Sequence, residues 1–418
     1  MLLPGTTEVA GARSCRKNSP YNAAVNQAFP LRIAVVHDWL VDFAGAESVL
    51  AEILNCFPQA DLFALVDHMP DEARARLGAH RARTTFLQSI PGTAARLRYF
   101  LPLMPLAIEQ LDVTGYDLVI SNNHAVAKGV VVSPDALHIS YLCSPMRYAW
   151  DMQFEYLRAG GMERGVRGAL LRWFLHRLRM WDHRSAAGVD RFLADSHFVA
   201  RRALKAYRRH AHVIYPPVDI EHFRPGTKRA DYYLTVSRLW GYKRVDLLIE
   251  AFAAMPDRRL VVIGGGPELE RLRTLATANV KVLGQQPDRV VLEHMQCAKA
   301  FLFAAVEDFG IAPVEALACG TPVIALRRGG AAESCAGLDS AEPTGVFFDE
   351  QTAAAVVEAV KLFEASASRI SSEACRRRAE GFAAPRFRAE FCAFVESTYA
   401  AWSDYRRTSG AVWRELVG

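Results

Sequence analysis

The sequence lacks the features that mark zinc-binding or disulfide-rich proteins, membrane-spanning proteins and proteins with a signal peptide. It contains eight cysteines, but no two of them form a Cys-x-x-Cys pair. Zinc sites and disulfide frameworks normally show such close spacing, so reduced and mostly buried thiols are expected. No apolar run reaches the roughly 20 residues that a membrane-spanning helix needs. Residues 1–30 also lack a hydrophobic signal core, which predicts a cytoplasmic protein.

A strong excess of one charge is absent as well. The formal net charge is only +5, and charged residues make up 23% of the chain. Bulk binding to nucleic acid is therefore not expected. At 418 residues the chain is too long for one ordinary core, so two domains of about 180 to 200 residues each are predicted.

Short apolar strands alternate with helical segments along most of the chain. This alternation predicts an α/β protein with two Rossmann-like domains, each a doubly wound parallel sheet, that face each other across a cleft. The proline-rich stretch 212–226 separates them, giving residues 31–215 and 216–395, while residues 1–30 show no period and predict a loose arm. The predicted strands are LRIAVVHDWL, DLFALV, YDLVISNNH, HISYLC and VDRFLADS, then YYLTVS, RLVVIG, VKVLG, KAFLFAAV, TPVIAL and GVFF.

Two glutamates eight positions apart are the most informative pair in the chain. Glu307 follows the run Ala300–Val306, which predicts a core strand, and Pro313 suits the first turn of a helix that carries Glu315. Glu307 is thus expected at the carboxyl end of a strand, where open α/β sheets bind ligands. Taken alone, each glutamate is equally consistent with a solvated charge. An acid next to an apolar strand needs partners, however, which favours ligand binding.

The same stretch predicts an anion site between the two acids. The backbone N–H groups of Phe309, Gly310 and Ile311 are expected to face a phosphate near the helix start. Arg238 and Lys243 follow the first strand of the second half, so their side chains can reach the same level and offset the charge of a diphosphate. The alternative is that they are ordinary loop charges.

The first half offers a smaller set of candidates. His124 follows the strand YDLVIS, although an isolated histidine is more often structural than catalytic. His37 and Asp38 close the first strand, where capping of a turn and contact with substrate are equally good interpretations. Gly45 lies where a strand turns into a helix and would let the backbone approach a diphosphate closely.

These motifs together resemble the family 4 retaining glycosyltransferases, which have the GT-B fold. The resemblance extends over EDFG, EALACGTPVIA, VVIGGGPELERL, SPMRYAWD and YPPVDIEHF, and is closest to members that build bacterial surface polysaccharides, often with GDP-mannose. It implies that Glu307 binds sugar hydroxyls, that Glu315 binds ribose, and that His124 contacts the donor sugar. Arg238 and Lys243 match the family's diphosphate-binding pair.

The resemblance also implies how the domains divide their work. Residues 31–215 would bind the acceptor and 216–395 the nucleotide sugar, and a final helix at about 396–418 would cross back to the first domain. Two positions depart from the family pattern: Ala44 replaces the first of two glycines, and Cys143 stands where relatives often have histidine. These departures put the fine geometry of the turn and any acceptor role of Cys143 in doubt.

A cluster in SPMRYAWD has two interpretations. A planar cation beside aromatic rings suits recognition of a sugar or phosphate, but the same residues could pack the domain face. The cluster consists of Arg147, Tyr148, Trp150 and Asp151.

The expected cofactor requirement is none. No Asp-x-Asp motif occurs, which glycosyltransferases of the other common fold use to hold a metal on the diphosphate. We therefore expect catalysis without a metal ion, with the nucleotide sugar as substrate and a lipid-linked glycan as acceptor.

A basic amphipathic segment suggests where the acceptor is met. In residues 163–184 apolar side chains recur at helical spacing among six arginines, which predicts docking on the inner face of an anionic plasma membrane. The apolar positions are Val166, Leu170, Phe174, Leu178 and Trp181. Arg167, Arg177 and Arg184 project into the apolar sector, so a core helix is a close alternative.

Three other functions compete with this interpretation. A UDP-sugar donor fits the same fold. A nicotinamide-dependent oxidoreductase also has doubly wound domains, but no Gly-x-Gly-x-x-Gly motif occurs. A non-catalytic membrane scaffold would not need two acids and two bases at one cleft.

Overall fold

Two parallel sheets form the framework of the protein. The computed structural model describes residues 31–408, so the loose arm predicted for residues 1–30 and the predicted helix end at 409–418 lie outside the described residues. The first sheet has the strand order β3-β2-β1-β4-β5-β6-β7 and the second β10-β9-β8-β11-β12-β13. The α/β fold class and the two doubly wound domains are thereby confirmed.

The strands of the first sheet are β1 Ile33–His37, β2 Asp61–Ala64, β3 Arg83–Thr84, β4 Leu118–Asn123, β5 Leu137–Leu142, β6 Arg191–Ala194 and β7 Ala211–Val213. Those of the second are β8 Tyr233–Val236, β9 Leu260–Ile263, β10 Val280–Gly284, β11 Ala300–Phe303, β12 Val323–Leu326 and β13 Gly345–Phe348. Central strands such as β1 and β4 are buried along their whole length because helices cover both faces.

The helices of the first domain are α1 Gly45–Cys56, α2 Asp71–Ala75, α3 Thr93–Arg96, α4 Met104–Ile108, α5 Gln153–Ala159, α6 Gly165–Ser185 and α7 His197–Tyr207. The later helices are α8 Val245–Ala253, α9 Leu269–Leu275, α10 Asp288–Cys297, α11 Ile311–Ala318, α12 Ala331–Ser334, α13 Ala353–Ala365, α14 Ser372–Glu380 and α15 Ala384–Thr408. Short 3₁₀ segments include Ala127–Gly129 and Gly241–Lys243.

Strand order places the crevice. The chain runs outwards from β1 through β2 to β3 and then returns to β4 on the other side of β1, and it repeats this reversal at β8 and β11. In open parallel sheets, ligands bind outside the carboxyl ends of the strands at such a reversal. The loops after β1, β4, β8 and β11 are therefore the expected site.

Three elements differ from the sequence-based prediction. The edge strands β3 and β7 were not predicted, because two or three half-exposed residues carry no apolar pattern. The strand predicted as Ala300–Val306 ends at Phe303, so Glu307 lies four residues beyond it.

The last helix returns to the first domain earlier than about residue 396. Helix α15 begins at Ala384, and Phe387 and Phe391 are completely buried in the core of the first domain. Their rings stack 5.4 Å apart, and both lie against Tyr141 of β5. Beside this return, the backbone N–H of Val218 donates to Phe382 O at 2.8 Å, so the two chain crossings run next to each other.

We predict that Phe391→Ala destabilises the first domain by about 3 to 5 kcal/mol, because the substitution leaves a cavity among buried rings. Urea unfolding followed by tryptophan fluorescence measures the loss. Leu362→Ala on the solvent side of α13, where the side chain is 47% exposed, is the matched control and should change stability by less than about 0.5 kcal/mol. Equal effects of the two substitutions would contradict the assignment of α15 to the core.

Candidate active site

The loop after β8 brings a lysine against the first predicted acid. Lys243 ends the 3₁₀ segment Gly241–Lys243, and its ammonium group contacts Glu307 Oε1. Burial, followed by the nearby charges of Arg147 and Arg238, lowers the pKa of Lys243 to about 7. Because Arg238 is among these neighbours, three of the predicted site residues are brought together at one edge of the second sheet.

Two glycines of a neighbouring loop hold the Glu307 backbone in place. The N–H of Gly330 donates to Glu307 O at 2.9 Å. Gly329 has φ +77°, and a Cβ atom there would come within 2.3 Å of the same carbonyl oxygen. Any larger residue would displace the loop, so glycine is required for this close approach.

The start of helix α11 lies next to this loop. Gly310 precedes the helix with φ +82°, and Ile311 is its first residue. The Phe309 ring is buried between Tyr215, at 5.8 Å, and Phe382, at 5.5 Å. Its side chain therefore packs in the core, and only its backbone can serve as predicted for an anion.

The second predicted acid lies further along the same helix. Burial, with a smaller contribution from Asp288, raises the pKa of the Glu315 carboxyl to about 7. Arg76 of the first domain opposes this shift from across the crevice. The Glu315 carboxyl therefore favours its neutral form more strongly than a free glutamate does.

The turn after β1 touches the second domain directly. A Cβ atom on Gly45 would come within 2.8 Å of Ile311 Cδ1, so glycine lets α1 approach the start of α11. The Glu47 carboxylate accepts from the Ala44 N–H at 2.9 Å and so caps α1 in the absence of a side-chain oxygen at Ala44. Gly45 therefore makes a close approach to helix α11, and the predicted approach of its backbone to a diphosphate stays a prediction.

His124 lies on the first-domain side of the crevice. Its Nδ1 atom is 2.9 Å from Asp38 Oδ2, and 26% of its side-chain surface is exposed. The Trp39 ring meets the imidazole edge-on with a centroid distance of 4.5 Å. Cys143 donates its thiol to Asn122 Oδ1 at 3.3 Å, close to the same strand end.

An ion-pair cluster that the sequence did not reveal joins the two domains. Asp308 of the second domain lies 3.2 Å from Arg147 Nε and also contacts Arg202 of α7. Arg202 in turn contacts Asp151. Asp308 directly follows Glu307, so its position was visible, but its partners lie 106 or more residues away and leave no local pattern.

A second link between the domains is a helix cap. The Glu333 carboxylate accepts from the backbone N–H groups of His197, at 2.8 Å, and Phe198, at 2.7 Å, in the first turn of α7. It also accepts from the Tyr215 hydroxyl at 3.2 Å. A carboxylate is favoured at a helix N-terminus, so this contact stabilises the observed domain arrangement.

The SPMRYAWD cluster divides between the two interpretations. Arg147 and Asp151 face the crevice through the ion pairs of Asp308 and Arg202. Trp150 instead donates Nε1–H to the buried Asp182 at 2.7 Å, so it packs within the first domain. Tyr148 lies 6.1 Å from Tyr156, whose ring stacks on Tyr242 of the second domain at 6.4 Å.

Residues 31–408 contain neither a metal-binding cluster nor a membrane-spanning helix. No group of three or more His, Cys, Asp or Glu side chains among them could hold a metal ion. No helix in that range combines the length and the apolar character that crossing a bilayer requires.

Comparison with known proteins identifies the second domain. Residues 218–381 match the family model described as glycosyl transferases group 1. These residues form a group 1 glycosyl transferase domain. The resemblance to GT-B glycosyltransferases that the motifs suggested is thereby confirmed.

Curated relatives are similar to part of the chain. A GDP-mannose-dependent monoacylated alpha-(1-6)-phosphatidylinositol monomannoside mannosyltransferase from Corynebacterium glutamicum is 34% identical over 35% of this chain and 46% of its own length. A D-inositol 3-phosphate glycosyltransferase from Mycobacterium leprae is 32% identical over 34% of this chain and 39% of its own length. The chain thus spans less than half the length of the curated relatives it matches.

Solved structures support the fold of the whole chain. A sucrose-phosphate synthase from Thermosynechococcus elongatus covers 88% of this chain and all of its own with a TM-score of 0.67 and 17% identity. Anabaena HepE in complex with UDP covers 88% of this chain and all of its own with a TM-score of 0.64 and 16% identity. At this identity the likeness shows the fold alone.

The raised pKa of Glu315 predicts a pH-dependent stability. The folded state favours the neutral carboxyl, so stability is lost as pH rises from about 4.5 through 7. Glu315→Gln stays neutral and should exceed the wild type by about 1 to 3 kcal/mol at pH 8, with little difference at pH 5. Chemical denaturation at both pH values measures this.

Glu358→Gln on the exposed side of α13 is the control and should show no such pH dependence. A Glu315→Gln protein with wild-type stability at pH 8 would mean that the carboxyl is not destabilised by its surroundings.

Proposed function

We propose that the protein is a retaining glycosyltransferase that moves a hexosyl group from a nucleotide sugar to a growing glycan of the cell surface. One observation carries this proposal: Arg238, Lys243 and Glu307 come together at the carboxyl edge of the second sheet, beside the start of α11 that carries Glu315. In the first domain, Gly45 packs against Ile311 at the start of α11, and His124 follows the carboxyl end of β4. The crevice thus offers cations for a diphosphate and acids for hydroxyl groups.

The cations stabilise the charge that develops on the leaving group. As the bond between the anomeric carbon and the diphosphate oxygen breaks, negative charge grows on the nucleoside diphosphate. Lys243, Arg238 and the N–H groups at the start of α11 would offset this charge, and these interactions strengthen in the transition state. No metal ion is required in this proposal.

Retention follows from attack on the face that the leaving group occupies. The acceptor hydroxyl oxygen bonds to the anomeric carbon while the departing phosphate oxygen takes the hydroxyl proton. Glu307 binds sugar hydroxyls in this scheme while its carboxylate pairs with Lys243. Glu315 binds the ribose.

The donor we propose is GDP-mannose. The support is the Corynebacterium glutamicum relative, which is named as GDP-mannose-dependent and is 34% identical over 35% of this chain. A UDP-sugar is the second candidate, favoured by the Anabaena HepE complexes with UDP and with UDP-glucose.

We predict that GDP raises the melting temperature by several degrees and more than UDP or ADP, in a thermal-shift panel run with excess EDTA. A ligand at 100 times its Kd adds about 2.7 kcal/mol of stability. Lys243→Ala should weaken GDP binding about 10- to 100-fold, because a charge-assisted contact to phosphate is lost.

Lys361→Ala is the matched control, since this lysine is exposed on α13 and pairs only with Glu358. A larger shift with UDP would move the donor to the second candidate. An unchanged melting temperature with every nucleotide and nucleotide sugar would remove the proposed function.

The acceptor we propose is a lipid-linked glycan met at an anionic membrane surface on the inner face of the plasma membrane. An exposed face of the first domain supports this, and we name it the apolar–arginine face: Tyr99, Leu103, Leu106, Val166, Leu170 and Trp173 together with Arg98, Arg167 and Arg177. Val166, Leu170 and Trp173 are each more than 60% exposed. The segment that contains residues 98–106 adjoins helix α6, because Trp181 Nε1 of this helix donates to Glu109 at 2.6 Å.

The face differs from the predicted one along α6. Leu178 is buried and Phe174 and Trp181 pack against the core, so the second half of the predicted apolar row holds the helix to the domain. Only Val166 and Leu170 of that row are exposed, and they are joined by Trp173. Arg167 and Arg177 are exposed beside them, which suits anionic lipid.

Replacing Leu170 with glutamate should reduce binding to vesicles of anionic phospholipid about 10-fold or more, because it removes an apolar contact and adds repulsion. Cosedimentation with anionic and with neutral vesicles measures this. Leu362→Glu, an exposed leucine on the second domain, is the control and should bind as the wild type does. Equal binding of the wild type to neutral and anionic vesicles would contradict the membrane proposal.

A further inference from the structure

Asp38 is a buried carboxylate that the proposed reaction does not yet use. It directly follows β1 and is fully buried. Its two oxygens accept four backbone N–H groups, those of residues 124 to 127, at 2.7, 2.9, 2.6 and 2.7 Å. An ionised carboxylate in the interior is costly unless such bonds are made, so the segment after β4 is built around this charge.

The sheet register brings this carboxylate to the predicted histidine. Strands β1 and β4 are neighbours, and His37 pairs with Asn122 at their carboxyl ends. Asp38 is one residue beyond this pair and His124 two residues beyond it, and the Asp38 carboxylate lies 2.9 Å from His124 Nδ1. The Trp39 ring at 4.5 Å limits rotation of the imidazole from a second side.

The charges around His124 favour its protonated form. Burial opposes the charge, but the Asp38 carboxylate, with a smaller contribution from Glu47, outweighs it and raises the pKa of His124. Arg147, also of the first domain, acts in the opposite direction. The neighbouring His37 contacts Glu47 Oε1 at 3.2 Å, so the Glu47 carboxylate acts on both histidines. Burial acts to raise the pKa of Asp38, but His124 and His37 outweigh burial and lower it.

We propose that Asp38 is a positioning residue that fixes His124 with Nδ1 towards the carboxylate and Nε2 towards the crevice, so that Nε2–H donates to a hydroxyl of the donor sugar. Asp38 acts through the histidine and does not touch the sugar. Its role in catalysis rests on the proposed function, whereas its control of the imidazole does not. The rival explanation is that Asp38 only caps the segment after β4.

The first experiment observes the imidazole without any assay of transfer. In protein labelled with ¹⁵N-histidine, the ring nitrogens of His124, assigned with His124→Ala, are followed from pH 5 to 9. We expect His124 to remain protonated at higher pH than a free imidazole, with Nδ1 carrying a proton throughout. In Asp38→Asn the titration midpoint should move to lower pH by about one unit or more, because the carboxylate charge is removed.

Asp190→Asn is the matched control for this experiment. Asp190 also accepts a backbone N–H, that of His138 at 2.8 Å. It directly precedes β6 and so lies at the amino ends of the strands, away from the carboxyl ends where His124 lies. The substitution should leave the His124 titration unchanged. A wild-type His124 that titrates as a free imidazole would overturn the proposal even if Asp38→Asn did not fold.

The second experiment is a double-mutant cycle on kcat and KM for transfer. Asp38→Asn and His124→Ala should each lower kcat about 10- to 100-fold, since misplacing one group by an ångström can cost about 100-fold. The double variant should resemble His124→Ala within about threefold, because Asp38 acts only through the imidazole. Melting temperatures of all variants separate folding defects from lost positioning.

If the losses of kcat from the two single substitutions multiply in the double variant, Asp38 has a structural role alone and the proposal is overturned. A wild type that transfers no sugar but shows the Asp38-dependent titration would instead count against the proposed function and leave the pairing of Asp38 with His124 established.

Discussion

The placement of charge between the two domains is the constraint on which the crevice depends. Two adjacent acids of one loop form ion pairs with different domains. Glu307 pairs with Lys243 of its own domain, whereas Asp308 pairs with Arg147 and Arg202 of the first domain. Charges that are partly removed from water need such partners. Bringing the two sheets together therefore satisfies Asp308, and at the same time it places the donor-side acid opposite the first domain.

The two domains contribute different kinds of chemistry to this crevice. The second supplies cations and a helix start suited to phosphate, and its group 1 glycosyl transferase identity agrees with that arrangement. The first supplies a histidine held by a buried carboxylate and a glycine turn that contacts Ile311. In the proposed reaction both sets are needed, because the second domain offsets the charge of the diphosphate and the first places the His124 imidazole beside the donor sugar.

Local patterns revealed the framework and half of the site. Apolar runs predicted the central strands, and Glu307, Lys243 and His124 were found because each follows one of them. Partners distant in sequence were not predictable: Glu333 caps a helix that begins 136 residues earlier, and Arg202 lies in an ordinary basic helix. The apolar row of α6 was visible, but periodicity alone could not show which half of it the core covers.

The return of α15 to the first domain makes the second domain, in chain order, an insertion within the first. Phe387 and Phe391, with Cys392, Val395 and Trp402 of the same helix, complete a core whose remaining members are made before the second sheet begins. During synthesis the first domain therefore waits, incompletely packed, until the second has emerged from the ribosome. The second domain, although it comes later in the chain, can therefore finish packing before the first, which still needs α15.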